Sequence, residues 1–269
     1  MLRVSGKAPE GTSQESTLAL AMIALPALEW LSPDSLIANF PRFSPEGTTL
    51  VHSKSDDVTM GFDHGAETIL LSLMPAPLPW SDLEQPCASA MLWPEATESM
   101  RPSTAHYIVT VMGAANPIRA RVVLTRFIAA VLCSQGCCGV YWGDASLVHK
   151  PEMFVELAQD VSEEGFPALL WINFIIMAGS RPRSVSFFTI GMAAFGLMEI
   201  EVVDSSIELS ELHERCCDLA GYLITSHQAK GGPIIKDGET FGWSAQEQFR
   251  VRHQTSEFGV PGKVYRLYC

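Results

Sequence analysis

The segment GVYWGDASLVHK, residues 139–150, brings an acid and a histidine together between a strand candidate and a helix start. His149 lies just before Pro151, the expected first helical residue, so the helix dipole disfavours a protonated ring. A neutral imidazole with Asp144 nearby can act as a general base or as a ligand. The alternative is that His149 makes only a local hydrogen bond.

Two carboxylates form a second candidate site in the segment GLMEIEVV, residues 196–203. Glu199 and Glu201 are two positions apart on a predicted strand, which places them on one face at a separation of about 7 Å. Paired carboxylates can perform acid–base chemistry or bind a hard cation. We favour the alternative, in which both carboxylates lie on a solvated strand face. A catalytic site of His149, Glu199 and Asp144 requires these side chains to converge.

Aromatic side chains close to these acids are candidates for partner contacts. Trp80 ends the proline-rich segment MPAPLPW, and Tyr141 and Trp142 occupy opposite faces of the strand 139–142. Together with Glu201 they form the predicted ligand- or partner-binding set. The alternative interpretation is that Tyr141 and Trp142 belong to the hydrophobic core.

Three further polar side chains favour structural interpretations. His106 lies in an apolar strand, where a hydrogen-bonded core histidine is the more common case. Arg119 and Arg126 are seven residues apart on one helix face and would suit an anion. We favour the alternative, in which both arginines extend along an amphipathic face towards water.

Standard catalytic and cofactor-binding motifs do not occur in the sequence. It contains no G-x-G-x-x-G, P-loop, H-E-x-x-H or G-x-S-x-G pattern, and no C-x-x-C pair of the zinc-binding type. The sequence therefore predicts no metal and no cofactor.

Charge restricts the classes of partner. The 269 residues carry a formal charge of −12 without a cluster of lysines or arginines, which disfavours nucleic acid and an anionic membrane surface. A cationic protein surface remains a suitable partner by complementarity. Because 47% of the residues are hydrophobic, the chain has ample material for a folded core.

Cysteine usage and the first apolar run indicate the compartment. Seven cysteines, including two vicinal pairs, do not form a disulfide framework, so we expect reduced thiols in a cytoplasmic protein. The run LALAMIALPAL at 18–28 resembles a signal peptide core. Glu10 and Glu15 precede it and no A-x-A cleavage site follows, so the run is interpreted as a buried strand.

The elements that must position these residues follow from periodicity and turn signals. Strands are predicted at 18–25, 48–52, 57–62, 67–74, 104–112, 139–142, 167–177, 186–191, 196–203, 248–254 and 263–268. Helices are predicted from Pro33, Asn116 and Pro151, with a broken helical region before Met100. Capping boxes are predicted at Ser81–Glu84 and Ser205–Glu208, the latter starting a long helix, and a hairpin turn at Asp237-Gly238.

These elements predict an α+β fold, with a mixed β-sheet, packed helices and a βαβ unit at about 104–142. Residues 1–17 are polar and are predicted to form a disordered tail. Residues 18–269 are predicted to form a single α+β domain, since no linker divides them.

Several phrases of the sequence occur together in a known family. They are MPAPLPWSDLEQPC (74–87), GVYWGDASLVHKPEMF (139–154), FTIGMAAFGLMEIEV (188–202), DGETFG (237–242) and FRVRH (249–253). On these phrases the chain resembles the bacterial domain-of-unknown-function family 4261 over residues 18–267. The resemblance implies a single α+β domain and a bacterial intracellular protein. It implies no activity and no catalytic residues.

The function that these observations favour is a cytosolic protein-interaction or accessory module, of the immunity-like kind. The alternative is a hydrolase or metal-assisted enzyme that uses His149 with Glu199 and Asp144.

Overall fold

A computed structural model of the chain describes residues 17–44, 47–230, 234–242 and 248–268. The predicted tail at 1–17 lies outside the described residues except for Thr17, which begins the first strand. Cys269 also lies outside them.

The first seven strands form one sheet in which every neighbouring pair is antiparallel. They are β1 (Thr17–Leu25), β2 (Val51–Ser55), β3 (Thr59–His64), β4 (Glu67–Met74), β5 (Ala105–Ala114), β6 (Gly139–Trp142) and β7 (Leu147–His149). Their order across the sheet is β2-β3-β4-β5-β1-β6-β7. Because β5 and β6 are each antiparallel to β1, they are parallel to one another.

The remaining strands form a second, six-stranded sheet. They are β8 (Asn173–Ala178), β9 (Val185–Ile190), β10 (Glu199–Ser205), β11 (Thr240–Gly242), β12 (Gln248–Thr255) and β13 (Lys263–Tyr268). The order is β11-β12-β13-β10-β9-β8, and β10 pairs with β13 in parallel. The α+β class is therefore confirmed, although the one mixed sheet that was expected is divided into two sheets.

The helices are α1 (Pro33–Asn39), α2 (Trp80–Ala88), α3 (Ala96–Met100), α4 (Pro117–Ser134), α5 (Pro151–Leu157) and α6 (Leu209–Lys230). The predicted start of α4 is confirmed, because the Asn116 side chain accepts a hydrogen bond from the Arg119 N–H at 2.7 Å. Helix α4 joins β5 to β6, which confirms the βαβ unit. Within the described residues, no helix is both long and apolar enough to cross a bilayer.

Apolar side chains from both sheets form the main core. Val109 on β5, Phe127 on α4 and Val251 on β12 all belong to one contiguous buried cluster. A smaller cluster that includes Leu83 and Trp93 lies beneath α2 and α3. Burial of this apolar surface is the principal stabilising contribution to the fold.

Both predicted capping boxes are wrong. Helix α2 begins at Trp80, so Ser81 lies inside it and its hydroxyl bonds the neighbouring Asp82 carboxylate. Ser205 ends β10 instead of capping α6. The Glu208 carboxylate takes that place by accepting the N–H of Ser210 at 2.9 Å. Helix α2 thus begins one residue before its predicted cap, and α6 begins at Leu209, four residues after its predicted cap.

Two strand predictions also differ from the structure. The predicted strand 167–177 begins only at Asn173, because residues 168–170 form a 3-10 turn. Asp237 and Gly238 form a turn, but residues 234–236 before it are not a strand. This turn is held by β12, since the Gly238 N–H donates to the Val251 carbonyl at 2.9 Å.

Candidate functional site

His149 ends an edge strand of the first sheet. The expected loop between β6 and α5 is a tight hairpin, in which β7 pairs with β6 and His149 lies opposite Val140. The turn contains Ser146 in the left-handed region at φ 47°. Helix α5 begins at Pro151 as predicted. Sheet pairing therefore fixes the backbone of His149, whereas the loop expected from the sequence would leave it less constrained.

The imidazole of His149 is neutral and almost completely buried, with 1% of its surface exposed. Burial lowers its pKa to about 4, and the hydrogen bond to Leu170 opposes that shift. Nε2 donates a hydrogen bond to the Leu170 carbonyl at 3.1 Å, because a carbonyl only accepts. Nδ1 is then an acceptor, and it has no hydrogen-bond partner among the described residues.

Asp144 compensates a buried arginine. Its carboxylate accepts a hydrogen bond from Nη2 of Arg121 at 2.7 Å, while the guanidinium lies 4.7 Å from the ring centre of Phe195. Burial lowers the pKa of Arg121 and the Asp144 charge opposes that shift. Asp144 itself is exposed to solvent. Its contacts are those of a structural ion pair at the protein surface.

Glu199 is buried, and its carboxylate organises the backbone of the turn that follows β9. It accepts hydrogen bonds from the Thr189 hydroxyl at 2.7 Å and from the N–H groups of Gly191 at 3.0 Å and Ala193 at 3.2 Å. Burial raises its pKa, and these hydrogen bonds oppose the shift. The carboxylate therefore caps the 3-10 turn Met192–Phe195.

Glu201 is also buried and forms an ion pair with Arg266 on the neighbouring strand β13. It accepts further hydrogen bonds from the Ser256 hydroxyl and the Glu257 N–H. The solvated strand face favoured from the sequence is thus wrong for both Glu199 and Glu201. Charge on this strand is tolerated because fixed donors surround each carboxylate.

His149, Asp144 and Glu199 are each bound to separate groups. Within the described residues, no hydrogen bond or ion pair connects any two of the three. The carbonyl of Leu170, the guanidinium of Arg121 and the turn after β9 are their respective partners.

The aromatic candidates divide between core and surface. Trp142 is buried against Phe154 with ring centres 6.4 Å apart, while Tyr141 is half-buried against the smaller core cluster. This arrangement confirms that they occupy opposite faces of β6. Trp80 is half-buried beneath the Arg101 guanidinium, which lies 4.4 Å from its ring centre.

The other polar candidates have structural partners. His106 is buried and its Nδ1 donates to the Ala76 carbonyl at 2.7 Å, as expected of a core histidine. Arg119 forms an ion pair with Glu67 at 2.8 Å. Arg126 is 1% exposed and donates to the Val161 carbonyl at 2.9 Å, so its predicted extension towards water is wrong.

A cavity of about 460 Å³ is lined by residues of both edge strands β7 and β8, and we call it the β7–β8 cavity. Its walls are residues 89–93, 147–149, 172–174 and 208–210, with Met153, Leu169, Ile176 and His213. Its volume lies in the range typical of ligand pockets. Of the residues predicted for a site, only His149 lines it.

The β7–β8 cavity is predominantly apolar and has an exposed apolar edge. Met91 and Leu92 are 63% and 62% exposed, although the chain buries most side chains of this kind. None of the lining residues is a lysine or an arginine. Burial lowers the pKa of His213, which also lines the cavity. These surroundings suit an uncharged apolar group better than an anion.

Sequence reasoning missed this cavity because its walls come from separate segments. The one local signal is the run Ala90-Met91-Leu92-Trp93, which is apolar and lies in a turn just before Pro94. An apolar run in a turn is unusual, since turns are mostly polar. Trp93 explains part of it, because its ring is buried in the smaller core cluster.

Among the described residues, no three His, Cys, Asp or Glu side chains are grouped as a metal site would require. The six described cysteines are free thiols. Burial raises the pKa of Cys87 to about 11 and those of Cys137 and Cys217 to about 12, so these thiols are protonated at neutral pH. Protonated thiols are weak nucleophiles.

The last part of the chain is similar to a known family. Residues 188–268 match the family model "Domain of unknown function (DUF4261)". The resemblance to this family is therefore confirmed for residues 188–268, whereas the phrases at 74–87 and 139–154 lie outside the match. The DUF4261 match contains α6, whose first residues line the β7–β8 cavity, whereas residues 89–93 and 147–149 lie outside it. No curated protein and no solved structure matches the chain.

Proposed function

We propose that the chain is a cytosolic protein-interaction or accessory module, and that its partner binds over the β7–β8 cavity. The observation that carries this proposal is the exposure of Met91 and Leu92 beside an open apolar cavity. Contiguous exposed apolar surface is characteristic of interaction sites in soluble proteins. A partner that covers both side chains would gain roughly 2 kcal/mol for each buried side chain.

Charge supports the same proposal and restricts the partner. The net charge of −12 favours a partner surface that is cationic around an apolar centre. The cavity is predominantly apolar and its lining includes Glu208 but no lysine or arginine, so the part of the partner that enters it is expected to be apolar and not anionic. Such an interface has the usual arrangement of an apolar centre and a polar rim.

The enzyme alternative, with His149, Glu199 and Asp144 as catalytic groups, has less support. A general base must reach the proton that it removes, and the Glu199 carboxylate already accepts three hydrogen bonds. Asp144 pairs with Arg121. Of these three residues, only His149 lines the cavity. A single buried imidazole without an orienting carboxylate is a weak catalytic arrangement.

The proposal is tested by crosslinking in cells of the source organism followed by identification of the captured proteins. The variant Leu92→Glu places a charge beside the cavity, and Leu28→Glu is the matched control, since Leu28 is 57% exposed and lies outside the cavity. We expect a partner that the native chain and Leu28→Glu capture equally, and that Leu92→Glu captures about tenfold less.

Circular dichroism must show that both variants remain folded. If every captured protein is recovered equally with Leu92→Glu and Leu28→Glu, the cavity is not the contact surface and the proposal fails.

A further inference from the structure

We infer that the partner binds by adding an extended segment to the free edge of β8, so that it becomes a further strand of the second sheet. This inference rests on the proposed function and specifies its mode of binding. Strand addition of this kind supplies backbone hydrogen bonds, while alternate side chains enter pockets beside the edge.

The strand β8 is an apolar sheet edge. Its sequence NFIIMA contains no charged residue and no proline, and in the described part of the chain it pairs only with β9. Phe174 and Ile176 line the β7–β8 cavity, and Ile175 and Met177 on the other face are half-buried. Unpaired N–H and C=O groups thus border apolar surface on both faces of this strand.

The other three sheet edges of the described residues have features that discourage strand addition. Strand β2 contains Lys54, is exposed along its length, and has an irregular register between His52 and Lys54. Strand β7 is three residues long and is followed by Pro151, and β11 is also three residues long. Short, charged and irregular edges are the usual protection against unwanted pairing. Only β8 lacks these features.

The occupant is a segment of another protein and not a second copy of this chain. Two copies each carrying a charge of −12 repel one another, which opposes self-pairing through β8. An occupant with uncharged residues opposite β8 and basic residues at its ends avoids this repulsion. Its alternate side chains are expected to be apolar, because those on one face enter a predominantly apolar cavity of about 460 Å³.

The experiment selects displayed random peptides, about nine residues long, on the native protein. Counter-selection uses Ile175→Lys, which places a charge on β8 away from the cavity, and Val51→Lys on the edge strand β2 is the matched control. We expect selected peptides to alternate apolar residues, and to bind Val51→Lys as they bind the native protein. Binding to Ile175→Lys is expected to be at least about tenfold weaker.

Backbone pairing is then tested on one selected peptide synthesised in two forms, with N-methyl groups on odd or on even residues. Strand addition uses only alternate N–H groups of the peptide, so one form should lose binding at least about tenfold and the other should retain it. Equal binding by both forms, or by Ile175→Lys and the native protein, would overturn the inference.

Sedimentation at increasing protein concentration tests the alternative that a second copy of this chain occupies the edge of β8. A dimer that Ile175→Lys dissociates would identify a second copy at this edge and would also overturn the inference. Failure of these tests leaves the proposed function standing if Leu92→Glu still loses its cellular partner. Conversely, if Leu92→Glu captures the cellular partner as well as Leu28→Glu does, the proposed function is contradicted. The peptide-binding test of β8 is then judged on its own result.

Discussion

At the scale of single residues, the buried charges of the second sheet are stabilised by specific partners. Glu201 is completely buried and Arg266 nearly so, and Arg266 also pairs with the exposed carboxylate of Glu257 at 2.6 Å. Removing one member of a buried pair leaves the other charge without full compensation, whereas exposed pairs contribute little. The burial of a pair therefore determines how much its loss destabilises the protein.

We predict that Glu201→Gln lowers the free energy of unfolding by about 3 kcal/mol, because the exposed Glu257 is then the one carboxylate paired with Arg266 among the described residues. The matched substitution is Asp237→Asn, which breaks the exposed pair of Asp237 with Arg252 at 3.2 Å. It should cost less than about 1 kcal/mol. Urea unfolding followed by circular dichroism measures both values, and equal losses would contradict the prediction.

His149 makes stability depend on pH. Its imidazole takes up a proton at the ordinary pKa of 6.5 when unfolded but only at about 4 when folded. Between these values the unfolded state binds more protons, so this residue's contribution to stability falls as the pH falls. The raised pKa of Glu199 acts in the opposite direction, so the comparison requires a variant.

We predict that the stability difference between the native protein and His149→Gln decreases by about 2 kcal/mol from pH 7 to pH 5. Glutamine retains a donor for the Leu170 carbonyl but does not titrate. Urea unfolding at the two pH values measures the difference. A difference that stays constant would show that burial does not hold the ring neutral.

At the scale of elements, helix α4 packs against β1 and β5 of the first sheet and carries the buried arginines Arg121 and Arg126. Almost every side chain from Ile118 to Val131 is buried, and the first N–H groups of the helix have no acceptor within the helix itself. The Asn116 side chain supplies one of the missing acceptors. This cap at a half-buried helix start is expected to make an ordinary N-cap contribution to stability.

We predict that Asn116→Ala lowers the free energy of unfolding by about 1 kcal/mol or more, while Asn116→Ser, which keeps an acceptor, costs less. Ser81→Ala is the control, since that residue lies inside α2 and does not cap it. It should change stability by less than about 0.5 kcal/mol. Thermal and urea unfolding measure the three variants, and an effect of Ser81→Ala equal to that of Asn116→Ala would contradict this interpretation.

Local sequence patterns predicted helices and strands more successfully than they predicted which side chains contact one another. The Asn116-Pro117 pair and the apolar strand 104–112 carry their own signals, so α4 and β5 agree with prediction. The burial of Glu201 depends on Arg266, which is distant in sequence, and no local pattern reports that pairing. The β7–β8 cavity was missed for the same reason, because the fold brings His149 and His213 to one cavity from distant parts of the sequence.

At the scale of the whole molecule, the two sheets share one hydrophobic cluster. We propose that the described part of residues 18–269 unfolds as a single domain. A shared core couples the sheets, since opening either one exposes apolar surface of the other. Val251 on β12 and Val109 on β5 are both completely buried in that cluster and report on its two ends.

We predict that Val251→Ala reduces the protection of β5 amides and β12 amides by the same free energy, about 2 kcal/mol. Native-state hydrogen exchange measured by NMR provides the two values. Unchanged protection on β5 with reduced protection on β12 would instead indicate two independently folding units.

The position of β1 between β5 and β6 has a consequence for synthesis on the ribosome. Both neighbours of β1 lie within residues 105–142, so its backbone N–H and C=O groups and its apolar side chains lack their partners while the intervening chain is made. At ordinary rates of translation this wait is on the order of ten seconds. The run LALAMIAL is therefore exposed as an unpaired strand in the nascent chain, where we expect a chaperone to shield it from aggregation.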